Sequence, residues 1–435
     1  MSEGENFNPR LVNNSMTDSK KLRIAMFVDT FPVYSETFIT RKVDYLLQRG
    51  YDVHVFCRCF DRSMPNAKAY RHIVHQMEKV NRSRFKHRVR VYAGFRNAAI
   101  FLKRSFRLCE NLVKTAICDT KSIKRIFKTE ANIHHFLNFA ASSFFSQHWD
   151  IVHCHYLVNV AMVQEIRREI SCPVIASIYG FDVTMAPYTS VQKFEDAQTW
   201  IKQVAGLAYC CEFLRHETQK IASTEDKVED VIFSETPVDF FIPRVRDLPH
   251  TPLRILSVGR LHWTKGYPVA LKAMEILRKR NIDFQYRIIG EGESRFELEY
   301  IIRNRGLQDY VSLVGRKTPE EVREAMQWAD VFLLSSNREA YGGVLPEAQA
   351  SGLPVVASRI GGLPESTSEG QTSLLVEPGD PFAFADALMK LCGDTELYHR
   401  MSAQGPVFAK RFDTLESGKK LEQFYLKCIE RSKNG

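Results

Sequence analysis

The sequence predicts an α/β protein with two doubly wound domains, and three observations carry that prediction. Continuous apolar runs of strand length alternate with stretches of helical apolar spacing, the pattern of buried parallel strands joined by crossover helices. The alternation occurs twice, on either side of VIFSETPVDFFIPRVRDLPHTPL (residues 231–253), a stretch with four prolines and no sustained period that reads as a linker. The chain has 435 residues, beyond the size at which one core stops growing. The expected division is a disordered lead-in at 1–20, a first domain at 21–245, a second at 250–400, and a C-terminal helix at 401–435 that packs back on the first domain.

Taken in order, the first strand is RIAMFVD. A loop, TFPVYS, leads to a helix with Ser35 as N-cap, Glu36 and Thr37 in its first turn, and Phe38, Ile39, Val43, Leu46 and Leu47 at helical spacing up to Gly50. VHVFC follows as the second strand. Strand-like runs resume at DIVHCHY, PVIASIYG and GLAYCCE. In the second domain, strand LRILSVGR precedes a helix over 267–280, strand FQYRIIG a helix over 295–305, and strand VSLVG a helix opened by Thr318, Pro319 and Glu321, a capping box with proline at the first helical position. VFLLSS and PVVAS complete the strands, and Asp380 with Pro381 starts another helix.

The net charge of +9 is concentrated in one place: residues 68–130 hold seventeen Lys and Arg against four acids. Between 95 and 114, Ile100, Phe101, Phe106, Leu108, Leu112 and Val113 alternate with Lys103, Arg104, Arg107 and Lys114, close to an amphipathic helix with a cationic rim. The partner of this segment is therefore anionic and local to one face. No run of eighteen apolar residues occurs and the N-terminus is polar and acidic, so the expected location is cytoplasmic. The ten cysteines are too sparse for a disulfide scaffold and do not match common zinc spacings, so they read as reduced, mostly buried thiols.

The chemistry concentrates at LLSSNREAYGGVLPEAQASGLPVVAS (residues 333–358). A buried strand leads to a loop with Glu339, a glycine pair at Gly342 and Gly343, a helix carrying Glu347, and a second buried strand. A glycine turn into a helix offers unpaired N–H groups and a positive dipole end to an anion. The two acids would then each meet a different hydroxyl-bearing group. Arg260 and Lys265 leave the C-terminal end of strand ILSVG a few residues apart, where ligands bind in open α/β sheets, and two fixed cations there can neutralise a diphosphate.

Gly259-Arg260-Leu261 with Lys265-Gly266, Gly290-Glu291-Gly292, the Glu339/Glu347 pair, Gly352-Leu353-Pro354-Val355-Val356 and Gly361-Gly362-Leu363-Pro364-Glu365 together resemble glycosyltransferase family 4, with five motifs in order across most of residues 22–425. The resemblance implies a GT-B fold, two Rossmann-like doubly wound domains facing a cleft, with retention at the anomeric carbon, no cofactor and no catalytic metal. The absence of an Asp-x-Asp pair agrees with the last point. Carried over residue by residue, Arg260 and Lys265 bind the donor diphosphate and, with Glu339, form the catalytic group. Glu339 contacts donor sugar hydroxyls, the amides of Tyr341, Gly342, Gly343 and Val344 contact sugar and phosphate, Glu347 contacts the ribose, and Arg316 lies near the base.

The first domain resembles the bacterial exopolysaccharide, colanic-acid-type branch through FPVYSETFI (residues 31–39). Ser35, Glu36 and Thr37 would then face the cleft toward donor phosphates or acceptor; plain helix capping is the other reading. His153 and His155 alternate on one strand and so point to one side. Both can reach a pocket, or either can be a satisfied core histidine, the more natural reading for His153. Gly180-Phe181-Asp182 matches the family's Gly-x-Asp, with Asp182, His155 and Tyr179 on the acceptor side. Tyr179 stands where relatives often have a donor-contacting His, and Ala340 where they have glycine.

The resemblance thus implies a hexosyltransferase that uses a UDP- or GDP-sugar donor and a polyprenyl-diphosphate-linked saccharide acceptor. The basic segment would hold it on the anionic inner face of the cytoplasmic membrane. Two alternatives are a catalytically inactive scaffold of the same fold and a nucleic-acid-binding protein. The latter is disfavoured because the basic segment contains no recognition module.

Overall fold

The computed structural model of the protein describes residues 21–33, 36–64, 66–76, 144, 147–164, 166, 167 and 170–434. Ser35, the lead-in at 1–20 and the basic segment beyond residue 76, including its expected amphipathic helix, lie outside the described residues.

The apolar runs form two parallel sheets. The first contains β1 (Arg23–Phe31), β2 (Asp52–Phe60), β3 (Val74–Gln76), β4 (Ile151–His155), β5 (Val174–Ile178), β6 (Gly206–Tyr209) and β7 (Val228–Val231), in the order β3-β2-β1-β4-β5-β6-β7. The second contains β8 (Leu253–Val258), β9 (Phe284–Ile289), β10 (Val311–Gly315), β11 (Val331–Leu334), β12 (Val355–Ser358) and β13 (Ser373–Val376), in the order β10-β9-β8-β11-β12-β13. Strands such as β4, β5, β11 and β12 are buried at every position, as strands covered on both faces must be. In each sheet the order reverses beside the first strand, between β1 and β4 and between β8 and β11. Such switch points open a crevice beyond the C-terminal strand ends.

Local signals account for most boundaries. Thr318 and Glu321 form the capping box that opens the helix Pro319–Trp328. Asp380 accepts from the amides of Phe382 and Ala383 at 2.9 and 3.1 Å. One boundary moves: the helix Thr37–Gln48 has Glu36, not Ser35, at its capping position, and among the described residues no side chain closes the cap. The first turn of that helix therefore begins one residue later than the sequence places it.

The connection between β7 and β8 is docked rather than free. Arg246 is buried there and donates to the carbonyls of Met326, Ser351 and Gly352 at 2.9, 3.0 and 3.1 Å. Burial pushes its pKa down to about 10. At the other end of the chain, Leu397, Tyr398 and Met401 of the helix Thr395–Ala409 pack in the second core. The helix that crosses back begins at Thr414 rather than 401; its Leu421, Phe424, Tyr425 and Cys428 pack with Ile24, Met26 and Ile175 of the first sheet. The described cysteines are free thiols, with Cys57, Cys154, Cys210, Cys211 and Cys428 buried.

Candidate functional site

The crevice at the second switch point is built from three backbone turns that only glycine fits. Gly266, which ends the turn after β8, has φ +63°, and a Cβ there would lie 1.9 Å from the Ser335 carbonyl oxygen. Gly342 has φ +70° and would press a Cβ to 2.3 Å from Leu363 Cδ2. Gly361 has φ +57° and would meet the Glu339 carbonyl oxygen at 1.7 Å. These close approaches bring the loop after β8 against the loop after β11, and so place Lys265 beside Glu339.

The two side chains form a direct ion pair, Lys265 Nζ to Glu339 Oε2, and Ser336 Oγ donates to the same carboxylate oxygen at 3.2 Å. Both are largely buried, at 19 % and 15 % exposure. Arg260 is exposed at the end of the strand that leads to this turn, and Arg316 is exposed after β10. Tyr341, Gly342 and Gly343 lead into the helix Val344–Ala350. The Tyr341 ring packs near Phe233 and Phe412, and among the described residues its buried hydroxyl has no hydrogen-bond partner.

Replacing Gly361 by alanine should push the Glu339 backbone out of place, costing about 1–3 kcal/mol of stability and raising the KM for donor. Gly370 has a similar φ of +74° but nothing within 4 Å of an added Cβ. Gly370→Ala should cost about 1 kcal/mol and leave KM unchanged. Thermal melts and donor titration of the two variants check the difference.

Glu347 sits inside the helix Val344–Ala350 with its side chain 21 % exposed. Burial raises its pKa, and the Arg41 guanidinium opposes that rise. Arg41 belongs to the first domain: its Nη2 lies 3.8 Å from Glu347 Oε1, and its Nη1 donates to the Glu235 carbonyl at 2.8 Å.

Across the crevice, the first domain presents a connected polar network. Lys42, 3 % exposed, pairs with the Glu235 carboxylate at 3.5 Å and donates to the Tyr179 hydroxyl at 3.2 Å. Tyr179 in turn lies 2.9 Å from His155 Nδ1. Among the described residues His155 Nε2 is buried without a hydrogen-bond partner, and burial holds both His153 and His155 well below the usual imidazole range. His153 has both ring nitrogens engaged, 2.7 Å from Tyr425 Oη and 2.7 Å from Ser177 Oγ, which is the arrangement of a satisfied core histidine.

Asp182 spends its carboxylate on backbone, accepting from the amides of Leu157, Gly180 and Tyr179 at 2.9, 2.9 and 3.3 Å. Burial raises its pKa against those bonds. In this geometry Asp182 shapes the loop that carries Tyr179 and Gly180. Glu36 lies at the mouth of the first switch point, with burial raising its pKa and the Tyr156 hydroxyl donating to it at 3.2 Å. Thr37 begins the helix beside it.

Three further contacts tie the domains together beside the site. Glu365 accepts from the amides of Glu212 and Phe213 at 2.7 and 2.8 Å, closing the start of the first-domain helix Glu212–Gln219. Cys211 Sγ lies 3.2 Å from the Ala340 carbonyl, and the Arg338 guanidinium donates to the Thr184 carbonyl. A Cβ on Gly180 would sit 2.3 Å from the Ala340 methyl, so the methyl occupies the space that Gly180 leaves open. Sequence reasoning missed Arg41, Lys42 and Glu235 as site neighbours. The adjacent cations directly after SETFIT, on a helix otherwise apolar on its inner face, were the available signal.

Residues 239–407 match the family "Glycosyl transferases group 1". The amylovoran biosynthesis glycosyltransferase AmsK of Erwinia amylovora is 28 % identical over 377 residues, covering 85 % of this chain and 90 % of that protein. WcaL of Escherichia coli K12, assigned as a colanic acid biosynthesis glycosyltransferase, is 38 % identical over 168 residues, 37 % of this chain and 41 % of its own. Among solved structures, Anabaena HepE in complex with UDP superposes with a TM-score of 0.68 at 15 % identity, over 92 % of this chain and 99 % of that one.

Proposed function

We propose that this chain, which matches the group 1 glycosyltransferases over residues 239–407 and has a GT-B fold, is a retaining, metal-independent hexosyltransferase of exopolysaccharide assembly. It transfers a hexosyl unit from a UDP- or GDP-sugar to a polyprenyl-diphosphate-linked saccharide. The single observation that carries this reading is the Lys265–Glu339 pair between the loops after β8 and β11, held by three glycine turns. It supplies what the reaction needs at one point: a cation for the departing diphosphate and a carboxylate for sugar hydroxyls. The relatives' names support the polysaccharide setting, and the UDP bound by HepE supports a nucleoside diphosphate as the leaving group.

In the proposed reaction the bond from the anomeric carbon to the diphosphate oxygen breaks as the bond to the acceptor hydroxyl oxygen forms on the same face. The hydroxyl proton passes to the departing diphosphate. Lys265 and Arg260 stabilise the charge that develops on that group, the interaction that strengthens most toward the transition state. Glu339 fixes the sugar and Glu347 the ribose. Glu36, Thr37, His155 and Tyr179 line the acceptor side, with Asp182 shaping the loop. The basic segment 68–130 binds the anionic membrane face. Among the described residues no helix is long and apolar enough to cross a membrane.

A thermal-shift panel of UDP- and GDP-linked hexoses, followed by transfer assays with and without EDTA and by NMR of the product anomer, tests each part. One donor class should raise the melting temperature, and the product should keep the donor's anomeric configuration with EDTA present. Binding without turnover on any lipid-linked acceptor would point to the inactive scaffold. Inversion or metal dependence would overturn the mechanism.

A further inference from the structure

Arg41 is unlike the other cations at the crevice because it stands on the first domain and acts on a residue of the second. Its place is fixed from two sides. Its Nη1 donates to the Glu235 carbonyl at 2.8 Å, while the next residue, Lys42, holds the Glu235 carboxylate at 3.5 Å. Both anchors lie on the helix Thr37–Gln48 and on the same residue of the connector that follows β7. The other terminal guanidinium nitrogen, Nη2, faces Glu347 Oε1 at 3.8 Å. That separation is an ion pair but too long for a hydrogen bond, so Arg41 supplies charge to Glu347 without occupying its acceptor sites.

We propose that Arg41 is a positioning residue for the nucleotide: it keeps Glu347 ionised with its acceptor lone pairs open, so that the carboxylate takes hydroxyls of the donor ribose. The inference rests on the donor-site reading above, in which Glu347 meets the ribose. A carboxylate at this half-dry position is drawn toward its neutral form by burial, and the cation restores the charged one. A protonated Glu347 would keep one good acceptor fewer and bind the ribose less well.

The elements packed against the Glu347 helix carry few rivals for this role. The turn Val238–Phe240 brings Asp239, and the helix Thr395–Ala409 brings Glu396, His399 and Arg400. His399 pairs with Asp247 at 3.1 Å, and among the described residues the charged group acting on Glu347 is Arg41. A second consequence follows from where Arg41 stands. Since the cation and the carboxylate belong to different domains, the affinity for ribose depends on how closely the domains approach.

The test compares UDP and GDP with their 2′,3′-dideoxy counterparts by calorimetry at pH 6 and pH 8, in the wild type, Arg41→Ala and Glu347→Gln. The wild type should prefer one ribonucleotide over its dideoxy form by about tenfold or more at both pH values, the worth of a hydrogen bond to a charged group. Arg41→Ala should keep the dideoxy affinity, which reports a folded site, and lose the ribose preference at pH 6. It should regain part of that preference at pH 8, because a carboxyl whose pKa is raised ionises as the pH rises through it. Glu347→Gln should lose the preference at both pH values.

An unchanged ribose preference in Arg41→Ala would overturn the proposal, as would an equal loss of affinity for both nucleotide forms, the mark of a merely structural role. A wild type that binds ribo and dideoxy forms alike would remove the Glu347–ribose contact and this proposal with it, leaving the diphosphate site standing. A wild type that binds none of the four would overturn the donor-site reading itself.

Discussion

Alanine at Lys265 should lower kcat/KM for transfer by about 10²- to 10³-fold, the loss typical of removing one preorganised group that stabilises developing negative charge. Two effects add. In the proposed reaction the departing diphosphate loses one of its two fixed cations, and Glu339, freed from its ion pair, faces it with the same sign of charge. Glu339→Gln keeps Lys265 and removes that repulsion along with a strong acceptor for the sugar, so it should cost less. In the double variant Lys265→Ala/Glu339→Gln the loss should be smaller than the product of the two single losses, because partners in one contact do not act independently. Steady-state kinetics of the four proteins check this, and a Lys265→Ala enzyme within about threefold of the wild type would remove Lys265 from the reaction.

Much of this arrangement was legible in the sequence because it rests on local signals. Apolar runs such as VFLL and VVAS leave a strand buried on both faces few alternatives, and their alternation with helices led to two parallel sheets. Gly266, Gly342 and Gly361 stand where left-handed turns and close approaches demand them, so the spacing of Lys265, Glu339 and Glu347 carried real geometric content. The cross-domain contacts were not legible. The adjacent cations after SETFIT were the one local signal for Arg41, and they do not name its partners, because Glu235 and Glu347 are distant in sequence and meet Arg41 only in the fold. Asp182 shows the same limit: Gly-x-Asp can be read from the chain, yet only the fold reveals that the carboxylate is occupied by three backbone amides. Tyr179, standing where a donor-contacting histidine is common, is engaged by Lys42 and His155.

The largest loss of stability is expected from Lys42→Met. Lys42 and Glu235 are 3 % and 1 % exposed, and among the described residues no other side chain pairs with either oxygen of the Glu235 carboxylate. Removing the cation therefore strands a buried charge, which costs about 3–5 kcal/mol, enough to lower the melting temperature by roughly 10 °C in a domain of this size. Burial already raises the Glu235 pKa and Lys42 opposes that rise, so without Lys42 the carboxyl should take up a proton in the folded state. A folded-state pKa above the unfolded one gives stability that is present at low pH and lost as the pH rises through it. The deficit of Lys42→Met should accordingly shrink as the pH falls toward the ordinary carboxyl range, which melting curves from pH 5 to pH 8 would reveal. Lys42→Met/Glu235→Leu, which removes both charges, should recover most of the loss, because replacing a buried pair with apolar groups is often neutral. If the double variant melts well while losing donor affinity, the pair is retained for what it holds in place. Lys42 fixes the connector residue whose carbonyl orients Arg41, and through Arg41 the acid on the opposite domain.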